Sequence, residues 1–340
     1  MDKNNTSSLW QRTKSWIARL LRREVAPGRF ESDAKFSWHG WLAGMPFVWP
    51  RREYLVYVPR GWSRWRRAPL LVLCHGCKQT PEEIAEATRM TALADQLGWL
   101  ILLPRQKESA NPWHCWNWFD LRTAEGNGEA AIVAAQIHAV VRQYRADSRR
   151  VFVAGMSAGG ALAAVLGIRH CDLVRAAVVH SGLACGAAQS PMTALAVMKR
   201  GPDTDVDRIA SDARRNARVD ALRVPLLAIH GDADDIVAPR NAIALVHQYL
   251  RLNGHPAVDS PIVVDAVLPA ADSESRETGV DGRAMTTRDW RISGRLVARL
   301  VTVNGLGHAW SGGDPKFPYN DAHAPDATAL IGTFARDALP

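Results

Sequence analysis

Gly155-Met156-Ser157-Ala158-Gly159 matches G-x-S-x-G, the pattern of a serine held out on a sharp turn as a nucleophile. Val151-Phe152-Val153-Ala154 before it is an apolar run of strand length, and Ala161 to Arg169 after it is rich in helix formers. Strand, turn and helix are the context that the pattern needs. The glycines have a steric reason to be there: the turn is tight, and a Cβ on either one would crowd it. The same five residues also suit a plain small-residue turn that packs a helix on a strand. Nucleotide chemistry is disfavoured, because the chain has no G-x-G-x-x-G and no G-K-[ST] after these glycines.

A serine hydroxyl is a weak nucleophile near neutral pH and needs a base, which in turn needs an orienting acid. The order Ser157, Asp234, His308 is the one expected of an α/β-hydrolase. His308 lies late, in the glycine-flanked loop Gly305 to Gly313, whereas His75, His180 and His230 end apolar runs and read as buried, hydrogen-bonded rings. Asp232 and Asp235 compete with Asp234 for the acid's role. Asp234 is preferred because it sits beyond a strand end, before the chain turns apolar again. A tetrahedral intermediate also needs two backbone N–H donors. Ala158, after the nucleophile, supplies one, and Cys77, after His75-Gly76, is the candidate for the other. Trp113, Trp116, Trp118 and Trp310 are candidates for lining a substrate cleft, with core packing as the alternative for each.

These residues can meet only if the elements carrying them end on one rim. Apolar runs at 53–59, 70–74, 99–104, 151–154, 176–180, 225–229 and 295–303 read as strands, the last alternating enough to be an edge. Helical stretches at 82–97, 128–144, 161–169, 239–252 and 325–339 alternate with them. That pattern predicts an α/β fold of the α/β-hydrolase type, a mostly parallel sheet with helices on both faces and ligands at the carboxyl ends of the strands. Residues 30–50 read as an irregular lead-in and 273–289 as a loop or loose hairpin. An Ala- and Arg-rich insertion at about 185–221 reads as a helical lid. The organisation is thus an extension, 1–29, and one catalytic domain, 30–340.

The chain has 340 residues, of which 47% are hydrophobic, with a formal charge of +8. That is long enough for one large α/β domain. The basic excess favours anionic surroundings, but no nucleic-acid motif accompanies it. Trp10, Trp16, Ile17, Leu20 and Leu21 recur near helical spacing among basic residues, so residues 9–23 suit weak contact with a membrane or granule surface, or packing on the main domain. Five cysteines show no zinc-type spacing, and neither a metal nor a cofactor is expected. No apolar leader with a small-residue cleavage site is visible, which makes cytoplasm the plain reading. Oligomeric state is not legible.

Taken together, His75-Gly76-Cys77-Lys78-Gln79-Thr80, Cys115-Trp116-Asn117-Trp118-Phe119, Gly155 to Ala161, His180-Ser181-Gly182 and Gly307 to Gly313 resemble the poly(3-hydroxybutyrate) depolymerase family of esterases. The resemblance runs over about residues 50–335. It implies serine hydrolysis of carboxylic esters, with Ser157, Asp234 and His308 as triad and Cys77 in the oxyanion loop. It implies an ester or polyester substrate, with feruloyl and acetylxylan esterases among the relatives. An extracellular or periplasmic setting and a Cys77–Cys115 disulfide are further implications, two buried thiols being the alternative to the latter. A peptidase of the same fold and a non-catalytic granule- or membrane-associated protein are the rival functions.

Overall fold

Five apolar runs of the sequence, Leu70–Cys74 (β3), Leu100–Pro104 (β4), Val151–Met156 (β5), Ala176–His180 (β6) and Leu226–Gly231 (β7), are buried at every position in the computed structural model. Uninterrupted burial is what strands covered on both faces require. The structure describes residues 28–36, 51–202, 222–258, 268–281 and 283–338. The basic stretch 9–23 and most of the predicted lid lie outside the described residues.

Those five strands run parallel and join Arg295–Val303 (β10) in a ten-stranded sheet. Its order is β1-β2-β4-β3-β5-β6-β7-β10-β9-β8, where β1 is Arg29–Phe36, β2 Arg51–Val58, β8 Ser273–Thr278 and β9 Ala284–Ile292. The strand period of two sends alternate residues to opposite faces. Val72, Val151 and Val153 pack with Val133 and Ile137 of the helix Gly128–Tyr144 (α4) and with Leu162 of Ala158–Arg169 (α5). Leu71, Leu73 and Phe152 pack on the other face with Ile84 of Pro81–Ala87 (α1), Met90 of Met90–Leu97 (α2) and Phe334 of Ala327–Ala338 (α8). The remaining helices among the described residues are Leu121–Ala124 (α3), Pro191–Arg200 (α6) and Arg240–Leu252 (α7).

Three expectations change, and one open alternative is resolved. The stretch 29–36, read as irregular, pairs antiparallel with β2. The helix expected over 82–97 is two helices, because Thr88 caps the first and Arg89 takes a left-handed φ of 56°. Of the two readings of the polar stretch 273–289, the hairpin is the one found, with β8 paired antiparallel to β9. All six residues of β8 are exposed, so its ladder to β9 and the Arg288–Glu274 pair at 2.7 Å hold it rather than burial. Consequently β10 is not an edge: it pairs with β7 on one side and β9 on the other. Its Arg299, which made the strand look half solvated, is bidentate to Asp289 of β9 at 2.7 and 2.8 Å.

Candidate active site

Between β5 and α5 the chain turns at Ser157, whose φ of 56° and ψ of −122° are strained for a residue with a Cβ. The surroundings hold it there. The Ser157 amide donates to the His180 carbonyl of β6 at 3.0 Å. A Cβ on Gly155 would lie 2.3 Å from the Gly159 carbonyl oxygen, and one on Gly159 would lie 2.2 Å from that of Cys74. Backbone meets backbone at the elbow, so only glycine fits on either side.

The loop after β7 carries the candidate acids. Asp234 is buried, and its Oδ2 accepts from His308 Nδ1 at 2.8 Å. Its Oδ1 accepts from the amides of Val237 at 2.8 Å and Ile236 at 3.0 Å. Burial alone would raise its pKa, but the His308 hydrogen bond and charge, with the Val237 amide, hold it below the usual carboxylate value. Asp232 instead accepts from the Gly305 amide at 2.6 Å, and Asp235 is exposed. Of the three aspartates, then, the geometry brings only Asp234 to the imidazole. With Nδ1 donating, Nε2 of His308 is left to accept a proton, and no other protein hydrogen bond engages the ring among the described residues.

The β3 end carries the candidate oxyanion loop. Among the described residues no protein acceptor takes the amide of Cys77 or that of Ala158 in the first turn of α5. The Sγ atoms of Cys77 and Cys115 are bonded, at 2.04 Å. Burial holds the His75 pKa down at about 4, so the ring is neutral. It donates from Nδ1 to the Gly76 carbonyl at 2.8 Å and accepts at Nε2 from the Gln106 amide at 3.2 Å. Gln106 and Asn117 both donate to buried Glu129, and the Trp116 indole donates to the His75 carbonyl at 3.0 Å.

Ser157, His308 and Cys77 line one cavity of about 110 Å³ with Lys78, Gln79, Met156, Met198, Ile236, Tyr319 and Gly76. None of the four tryptophans expected at a cleft lines it. Trp116, Trp118 and Trp310 are 2%, 3% and 1% exposed, and Trp113, although exposed, stands outside the lining. The rings bury large apolar areas, and two of the indoles find internal acceptors: Trp116 at His75 and Trp310 at Thr328 Oγ1, 3.2 Å away. Trp310 also stacks on His180 with centroids 5.0 Å apart.

Met198, Ile236 and Tyr319 escaped the sequence reading. Met198 belongs to α6, whose end is tied to the acid loop by Ala238 N–H to Met198 O at 2.7 Å and Lys199 Nζ to Asp235 O at 2.6 Å. Tyr319 packs edge-on to His308 at 6.2 Å. The only local signal was the Pro318-Tyr319-Asn320 turn chemistry. A larger cavity of about 650 Å³ between α7 and strands β9 and β10 holds none of the residues predicted for the site. Ser157, Cys77 and His308 converge on the smaller cavity instead. Among the described residues no cluster of His, Cys, Asp or Glu is arranged to hold a metal ion, and no helix is long and apolar enough to cross a membrane.

A parallel sheet with Ser157, Asp234 and His308 past the carboxyl ends of β5, β7 and β10 makes this an α/β-hydrolase-fold protein. The chain belongs to the esterase PHB depolymerase family, which matches residues 52–264, more than half of it. It is 30% identical over 217 residues to poly(3-hydroxyalkanoate) depolymerase C of Paucimonas lemoignei, covering 63% of this chain and 51% of that protein. To feruloyl esterase B of Neurospora crassa it is 28% identical over 207 residues, 58% of this chain and 69% of that one. To poly(3-hydroxybutyrate) depolymerase of Ralstonia pickettii it is 25% identical over 335 residues, 90% of this chain and 62% of that one. The chain thus spans about half the length of the first of these relatives. Among solved structures, an acetyl xylan esterase from Aspergillus awamori superposes with a TM-score of 0.59 at 21% identity, covering 76% of this chain and 89% of that one, a likeness of fold.

Proposed function

We propose that the protein is a serine carboxylic ester hydrolase acting on hydroxyalkanoate esters, as oligomers or short chains. The observation that carries this reading is the Asp234–His308 hydrogen bond of 2.8 Å, on the same small cavity as a serine in strained elbow geometry. His308 takes the Ser157 proton at Nε2 as Oγ adds to the ester carbonyl. The amides of Cys77 and Ala158 receive the oxyanion. His308 then protonates the departing alkoxide, leaving an acyl-Ser157. Water, deprotonated by the same ring, releases the acid and restores the hydroxyl. Asp234, a carboxylate throughout, holds the imidazole in place.

The two depolymerase relatives support the hydroxyalkanoate substrate, and the apolar side chains of Met156, Met198 and Ile236 suit a short acyl chain. Feruloyl esters are the second reading, favoured by the feruloyl esterase relative. The test is hydrolysis of p-nitrophenyl butyrate and labelling by a fluorophosphonate. Ser157→Ala is expected to abolish labelling and to lower kcat by on the order of 10⁶-fold. Undiminished turnover in that variant overturns the assignment, and faster cleavage of a peptide anilide than of the matching ester would make the protein a peptidase.

A further inference from the structure

Among the described residues, the wall of the cavity beside Ser157 carries no carboxylate. Its full cation is Lys78, with His308 as the other titratable base. Lys78 is exposed and enters no ion pair among the described residues. Lys199, on the neighbouring helix α6, is already committed to the Asp235 carbonyl at 2.6 Å. The backbone at Lys78 is fixed. Its φ is 59°, its amide donates to the Trp113 carbonyl at 2.7 Å, and the preceding residue is disulfide-bonded to Cys115. A mobile ammonium therefore springs from a rigid base, one residue beyond the amide that faces the oxyanion.

From this we infer that Lys78 is a specificity-determining residue that recognises a carboxylate on the leaving alcohol. The preferred substrates are then hydroxyalkanoate esters ending in a free acid rather than neutral esters or the interior of a polymer chain. The inference rests on the ester-hydrolase reading. In a 3-hydroxyacyl ester of a 3-hydroxy acid, the terminal carboxylate is separated from the scissile ester oxygen by two carbons. The anion and the developing oxyanion thus fall within one side-chain length of each other, and a cation beside the hole serves both. Among the described residues, the cavity wall offers the anion no opposing negative group.

The experiment compares a free-acid 3-hydroxybutyrate dimer with its methyl ester, each taken as kcat/KM, in wild type, Lys78→Gln and Lys78→Arg. Both substrates feel any damage to the oxyanion loop equally, so the ratio isolates the charge. Wild type is expected to favour the acid about three- to ten-fold, mostly in KM, as suits an exposed charge pair. The ratio should fall to about one in Lys78→Gln, persist in Lys78→Arg, and shrink in high salt. A wild-type ratio of one, or a ratio unchanged in Lys78→Gln, overturns the inference. With p-nitrophenyl butyrate still hydrolysed in a Ser157-dependent way, either result leaves the esterase reading intact. If wild type cleaves none of the free-acid dimer, its methyl ester and p-nitrophenyl butyrate, the esterase reading falls and the inference falls with it.

Discussion

The two sides of Ser157 are built differently. The proposed oxyanion side is fastened many times over: a disulfide from Cys77 to Cys115, a buried carboxylate at Glu129 gathering Gln106 and Asn117, and an indole hydrogen bond from Trp116 to the loop's own carbonyl. The proposed acid–base side hangs the His308 ring on one hydrogen bond among the described residues, to Asp234, with Tyr319 packed edge-on. The difference suits the chemistry proposed for the two sides. Oxyanion donors work by being in place before charge develops, so rigidity helps them. A base that serves the nucleophile, then the leaving group, then water needs some freedom of its ring, and only its tautomer and direction need to be held.

The comparison can be broken at its single-bond side first. Asp234→Asn keeps the shape but removes the charge that selects the Nδ1–H tautomer, and is expected to lower kcat for p-nitrophenyl butyrate by about 10³- to 10⁴-fold. A loss below tenfold would mean that Asp232 or Asp235 can stand in. Cys115→Ser attacks the fastened side. Opening a bridge that spans 38 residues should cost about 3 kcal/mol in urea unfolding, while kcat falls by less than about 100-fold because the Glu129 network remains. If activity falls further than for Asp234→Asn, the disulfide alone sets the oxyanion loop.

The remaining effect is on stability against pH and leaves the two sides of Ser157 untouched. Burial holds His75 at about 4 and His180 at about 3, both below the ordinary value of 6.5. The unfolded chain therefore binds more protons than the folded one below about pH 6.5, and stability rises with pH across that window. Each ring should remove on the order of 1 kcal/mol per pH unit as pH falls from 6.5 toward 4. Urea midpoints at pH 7, 6, 5 and 4 measure this. A flat profile would mean that these rings are not buried neutral.

Legibility varied by kind of contact. The elbow could be read because glycine, serine and glycine between an apolar run and a helix former meet a local steric demand. The parallel strands β3 to β7 could be read because burial on both faces leaves an unbroken apolar stretch. The interior place of β10 could not. Arg299 looks solvent-directed until Asp289, ten residues earlier, is laid beside it. Nor could the fate of the tryptophans be read, because a ring's exposure depends on which distant acceptor satisfies its N–H. Thr328 does so for Trp310, eighteen residues away.

By itself the amino-acid sequence determined the turn at Ser157, the alternation of buried strands and helices, and the order in which Ser157, Asp234 and His308, the proposed nucleophile, acid and base, arrive. Each of these is enforced by sterics or burial within a short stretch of chain. Only the tertiary structure decided which aspartate reaches the imidazole, that Met198 and Tyr319 rather than tryptophans wall the cavity, and that Lys78 stands on its wall. Those outcomes depend on hydrogen bonds and van der Waals contacts between residues tens to hundreds of positions apart, and no local preference encodes them.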